Sequence, residues 1–129
     1  MTQPLRLQRS RAKGSRLVSP DGRRVVYCGR PGPFANPFTV AKFGEYWAGL
    51  HFIRWLLGSG WRDFEQERRR ELIRRLPSIE DCHLSCWCAL PPKGKTDGCH
   101  AAVYLRLFGM ANTYARLRAE VEKNARKGR

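Results

Sequence analysis

No apolar run in the chain approaches the roughly 20 residues that a membrane-crossing helix needs, so no transmembrane span is expected. The arginine-rich start has no apolar h-region, which argues against a secretory signal. Acidic side chains are scarce: 11 Asp and Glu stand against 25 Lys and Arg, a formal net charge of +14. That imbalance points to a polyanionic partner, nucleic acid or a phosphorylated ligand, ahead of a basic surface kept only for solubility. Cysteines number 5, an odd and clustered set that speaks against a disulfide framework and for thiols or metal in a reduced cytosol. Internal repeats are missing too, and 129 residues suit one domain with one modest core.

What is there concentrates between Cys82 and His100. This stretch holds Cys82, Cys86, Cys88 and Cys99 with His83 and His100. Residues from Asp81 to Cys88 read as a strand, in which Cys86 and Cys88 project to one side and Trp87 to the other. Ala89 to Gly98, with Pro91, Pro92, Gly94 and Gly98, cannot continue it. A helical apolar pattern then opens at Cys99 and runs through Ala102, Val103, Leu105 and Phe108. Cys99 and His100 fall at its N-terminus, where free N–H groups and the helix dipole favour anions and thiolates.

The rest of the chain supplies a frame. Residues 1–24 form a basic arm, with Leu5 and Leu7 alternating as in a short edge strand; 25–110 are the core; 111–129 are a basic C-terminal helix or tail. Arg24 to Cys28 is the clearest strand, ending at Gly29. The loop from Gly29 to Phe38, with Pro31, Pro33 and Pro37, is stiff and presents Arg30 and Asn36. Glu45 to Leu57 reads as a buried helix stopped at Gly58, with His51 as a packing residue. Trp61 to Leu76 reads as a second helix with Arg68 on its apolar side, Arg69 and Arg70 towards solvent, and Pro77 at its end. Tyr114 to Lys123 reads as a last helix followed by a frayed tail. Strand, helices, strand, helix describes a small Rossmann-like α/β domain of two or three layers with a short, mostly parallel sheet. Ligands in such sheets sit at the carboxyl ends of the strands, so the Gly29–Phe38 loop and the Cys86–His100 cluster should share one cleft.

Two chemistries fit the cluster. Cys86, Cys88, Cys99 and His100 give three soft ligands and an imidazole, suited to tetrahedral zinc. Their spacing is not that of a standard knuckle; Cys82 or His83 could substitute, and Cys86 could equally be a small buried hydrophobe beside Trp87. Alternatively Cys99 is a nucleophilic thiol paired with His100 as catalytic partner, with Glu45 or Asp97 approaching in space. Gly29, Arg30, Asn36 and Phe38 are the ligand-binding candidates, Arg30 as an anion fork and Phe34 and Phe38 as stacking faces, while Trp47, Trp55 and Trp61 read as core. The expected function is a Cys/His-centred site that binds or processes a nucleotide or nucleic acid. The alternative is a non-catalytic nucleic-acid binder whose cluster holds structural zinc.

The same residues carry a resemblance. A basic opening precedes a Val-Tyr-x-Gly-Arg strand end at Val26, Tyr27, Gly29 and Arg30. Asn36-Pro37-Phe38, then Cys86-Trp87-Cys88 and Cys99-His100, complete the pattern. From about Leu5 to Leu107 the chain resembles a phage and bacterial family, domain of unknown function 4326. It departs from the family pattern at Ala35, where glycine is usual, and at Ala101-Ala102, where an acid usually follows Cys-His. The resemblance implies the cytoplasm of a bacterial or phage-infected cell.

Overall fold

The computed structural model describes residues 3–12, 14 and 16–127. Lys13 of the basic arm and the last two residues of the tail lie outside the described residues. Three short strands, β1 (Arg6–Gln8), β2 (Val25–Tyr27) and β3 (His83–Cys86), form one open sheet in the order β1-β3-β2. Both pairings are parallel: Leu84 lies opposite Arg6 on one side and Val26 on the other. Four α-helices complete the described chain: α1 (Val40–Leu57), α2 (Gln66–Arg75), α3 (His100–Phe108) and α4 (Ala111–Lys127), with a 3₁₀ turn at Leu76–Ile79. The protein is a small α/β domain. No helix among the described residues is long and apolar enough to cross a membrane.

The parallel sheet follows from its connections. β2 reaches β3 only through α1 and α2, a crossover too long for a hairpin. β3 is buried along its whole length, as a central parallel strand must be. β1 is the edge strand suggested by the sequence, but with the opposite face inward. Arg6 is buried and Leu5 is exposed. The exchange holds because every part of the Arg6 guanidinium finds an acceptor, as described below.

Helix limits show which local signals governed. Thr39 caps α1, its hydroxyl oxygen accepting the Lys42 N–H at 3.1 Å. A left-handed Gly44 breaks the first turn, so the uninterrupted helix begins at Glu45. It stops at Gly58, whose N–H bonds the carbonyls of Arg54 and Trp55. α2 begins at Gln66, five residues after Trp61, because Trp61 and Glu65 both take left-handed backbone angles. The arginine this helix buries, beside Leu72 and Ile73, is Arg69, and Arg68 is exposed. Arg69 Nε donates to the carbonyls of Trp55 at 2.8 Å and Leu56 at 3.1 Å, and Nη2 reaches Glu120 at 2.9 Å. A cation placed on the last carbonyls of α1 satisfies orphan acceptors and complements the helix dipole. α2 yields to the 3₁₀ turn around Pro77, α3 ends at Gly109, and α4 starts three residues before Tyr114 and continues to Lys127.

α3 packs on β3 and β1 and against α1 and α4. Phe52, Trp55, Leu84, Tyr104 and Leu117 lie at the centre of the core. The carboxyl ends of β2 and β3 and the N-terminus of α3 therefore open in one region.

Candidate functional site

Cys86 is the last residue of β3, Cys88 lies two residues beyond it, and Cys99 is the N-cap of α3. The Sγ atoms of Cys86 and Cys88 are 3.7 Å apart. With Cys99 they form a group whose sulfurs all lie within 4.8 Å of one another, a set that could hold a metal ion. Cys86 and Cys99 are buried and Cys88 is exposed, so the group is open on one side.

The loop from Cys88 to Cys99 is closed by Arg6. Its Nε donates to Asp97 Oδ2 at 2.7 Å and its Nη2 to Asp97 Oδ1 at 3.1 Å. Nη1 also donates to the Cys88 carbonyl, and Nη2 to that of Ala89 at 2.8 Å. Asp97 Oδ1 in turn accepts the Cys99 N–H at 3.1 Å. One buried guanidinium thus fixes both ends of the segment joining the cysteines.

The three thiols share their charge unevenly. Hydrogen bonding with Cys88 and with Cys99 holds the Cys86 thiol below its ordinary range. The same contacts with Cys86 push Cys88 and Cys99 up. For Cys99 this outweighs the Ala101 N–H at the helix N-terminus. Cys28 is pushed up to about 12 by burial, remains a thiol, and takes no part in the group.

His100 stands beside the sulfurs and outside the group. Its Nε2 contacts the Cys28 carbonyl, which can only accept, so Nε2 carries the proton. Nδ1 is left with a lone pair 3.9 Å from Cys99 Sγ. Burial holds the His100 pKa below its ordinary value, which keeps the ring neutral. Of the expected ligand set of Cys86, Cys88, Cys99 and His100, the three sulfurs lie together and the imidazole stands beside them with its Nε2 on the Cys28 carbonyl. His83 is no substitute: Nδ1 accepts the Leu5 N–H at 2.9 Å and Nε2 meets Asp21 at 2.7 Å.

The sulfurs form part of the wall of a cavity of about 850 Å³, within the size range of small-molecule sites. Gly29, Arg30, Asn36 and Phe38 line it from the loop after β2, and Cys86, Cys88, Cys99 and His100 from the other side. The two segments meet in one cleft. Tyr104 O–H holds this loop by donating to the Phe34 carbonyl at 2.7 Å, and Arg68 donates to the Ala35 carbonyl at 3.2 Å.

Residues 7–109 match the family model described as Domain of unknown function (DUF4326). The chain belongs to the DUF4326 family. No curated protein and no solved structure matches it.

In this DUF4326 chain several cleft residues serve the loop itself. The Asn36 side chain donates to the Ala48 carbonyl at 3.2 Å and accepts the Phe38 N–H at 2.9 Å, which fixes the loop. A Cβ on Gly29 would stand 2.3 Å from the Tyr27 hydroxyl, so Gly29 is there to let that ring lie flat on the backbone. Phe38 is 1% exposed and packed among Phe43, His51, Trp55, Trp61 and Phe64. Phe34 is buried against Tyr104, so neither offers the stacking face read from the sequence. Open aromatic surface on the cleft comes instead from Tyr46, 72% exposed, and Trp87, 39% exposed. Trp47, which reads as core, is also half exposed, while Trp55 is fully buried. Arg30 is exposed on the wall, steadied by an Nη2 bond of 2.6 Å to the Asn36 carbonyl. Asp97 and Glu45 both reach the cleft, Asp97 already committed to Arg6.

Proposed function

We propose that Cys86, Cys88 and Cys99 bind zinc, and that this centre binds or processes a nucleotide or nucleic acid held in the adjoining cleft. The spacing of the sulfurs carries the metal half. Zinc–thiolate bonds of about 2.3 Å set tetrahedral sulfur–sulfur edges of about 3.8 Å. Cys86 and Cys88 stand 3.7 Å apart before any ion is added. Soft sulfur donors select zinc over magnesium or calcium. Three protein ligands leave one position for a group from the cleft that the same cysteines line. Zinc there supplies a Lewis acid to an oxygen or ring nitrogen of that group.

Charge and shape support the ligand class. Arg11 and Arg30 line the cleft, and Tyr46 and Trp87 add planar faces. Arginine forks suit phosphate and exposed rings suit bases. Five free cysteines fit the reducing cytoplasm of a bacterium or phage-infected cell.

One observation favours a second reading, a closed structural zinc in a non-catalytic nucleic-acid binder. His100 Nδ1 lies 3.9 Å from Cys99 Sγ while Nε2 is tied to a backbone carbonyl, the usual support of a metal-bound imidazole. Cobalt(II) in place of zinc separates the two. With an open site, added imidazole changes the cobalt spectrum of the wild type and His100→Ala leaves the starting spectrum alone. With a closed site, imidazole has no effect and His100→Ala alters the spectrum. A wild type that binds neither metal overturns both.

A further inference from the structure

A second construction stands next to the sulfur group. The chain leaving β1 stays beside β3 through an Arg9 N–H bond to the Cys86 carbonyl at 2.9 Å. Arg11 then sits 4.7 Å from the centre of the Trp87 ring. Arg9 lies 5.4 Å from the same ring and 5.0 Å from Tyr27. Trp87 Nε1 donates to the Tyr27 hydroxyl at 3.0 Å, and that hydroxyl donates to the Arg30 carbonyl at 2.7 Å. Two rings and three arginines are thereby joined in one connected strip along the cleft.

Cation–π contact holds a guanidinium by its face and leaves its N–H edge free. Among the described residues no carboxylate pairs with Arg9, Arg11 or Arg30. Elsewhere this chain pairs some of its surface arginines, Arg68 with Glu65 and Arg74 and Arg75 with Glu71. A basic surface kept for solubility does not need two of its guanidinium groups held over one ring.

We infer that Arg9, Arg11 and Arg30 are a phosphate track that lays a single-stranded nucleic acid along the cleft rim, an inference that rests on the nucleotide or nucleic-acid reading above. A cavity of about 850 Å³ takes one nucleotide unit and no double helix. Tyr46 on the cleft wall offers that unit a stacking face. Each phosphate neutralised on a single strand releases counterions and contributes about −0.7 to the slope of log affinity against log salt.

The test is fluorescence anisotropy of a short labelled oligothymidylate across a salt series. The wild type should show a slope of about −2, one step of about −0.7 for each of the three arginines. Arg9→Gln/Arg11→Gln should bind more weakly with a slope of about −0.7, and duplex competitor should displace the strand poorly. Zinc content is measured on the same samples. Identical slopes for wild type and variant, no salt-dependent binding, or equal competition by duplex overturns the track. Zinc loss with the slopes intact strikes the metal reading alone, and a zinc-loaded protein without a slope strikes this one alone.

Discussion

Arg6 Nε meets Asp97 Oδ2 at 2.7 Å across 91 positions of chain, and this contact sets where Cys99 stands. Arg6 belongs to the edge strand, and Asp97 belongs to the loop between the cysteines. The same carboxylate accepts the Cys99 N–H, so strand, loop and helix N-cap are tied through two side chains. The sulfur group is therefore assembled by the sheet edge as well as by its own local sequence.

Arg6→Met should be among the costliest single changes. It strands a partly buried carboxylate and two loop carbonyls, and losing one partner of such a pair costs about 3–5 kcal/mol. Urea melts measure the loss. Arg6→Lys should recover only part of it, because a point charge cannot replace a fork on three acceptors. Supporting contacts of this kind change metal affinity by about 10- to 100-fold, which chelator competition with the lysine variant reads. A methionine variant as stable as wild type contradicts the clamp.

Arg69 and Glu120 should behave asymmetrically. Arg69 is 3% exposed and caps two carbonyls of α1, whereas its partner Glu120 is exposed. Arg69→Leu should cost about 3 kcal/mol. Glu120→Gln should cost about 1 kcal/mol or less. Equal losses in thermal melts would mean that the ion pair, and not the helix cap, is what matters.

Gly49→Ala tests how closely α1 approaches the cysteine loop. A Cβ at Gly49 would lie 2.8 Å from the Gly98 carbonyl oxygen, one residue before Cys99. Backbone must shift to admit it, at about 1–3 kcal/mol for overpacking. Stability should fall and metal affinity with it. An alanine variant with unchanged metal affinity would show that the Cys99 position is not set from this side.

Asp21 gives a pH dependence of known sign. Its carboxylate is held below the ordinary range by the hydrogen bond from His83 Nε2, then by the Arg23 N–H at 3.1 Å. A folded value below the unfolded one stabilises at pH above the unfolded value, and the contribution disappears as pH falls through the folded one. Wild type should therefore be more stable than Asp21→Asn near neutrality, with the gap closing below about pH 4. Melting temperatures of both proteins across that range check it. A gap that widens in acid contradicts the assignment.

The parallel sheet and the shared cleft were legible because both rest on strong local signals. Val25 to Tyr27, the cysteine strand and the helices between them define a crossover, and ligands in such sheets gather at the strand ends. That reasoning was enough to bring Arg30 and His100 to one cavity. Arg6 was hidden because apolar alternation favours Leu5 and Leu7 as the inward pair, and the acid that permits its burial leaves no periodic trace. Arg69 was hidden inside Arg68-Arg69-Arg70, since its partners are backbone carbonyls of another helix. Phe38 looked like a loop aromatic free to stack, yet its ring packs against Trp55 of α1 and Trp61. His100 and Cys99 are neighbours in sequence, and the contact of the ring with the Cys28 carbonyl, 72 positions away, leaves no trace there.

The most direct measurement is the metal content of the purified protein by elemental analysis, alongside Cys86→Ser, Cys88→Ser and Cys99→Ser. The account predicts one zinc per chain in the wild type and strong loss in each variant. Wild-type protein prepared without chelator that carries no zinc, and takes up none on dialysis against it, would contradict the account.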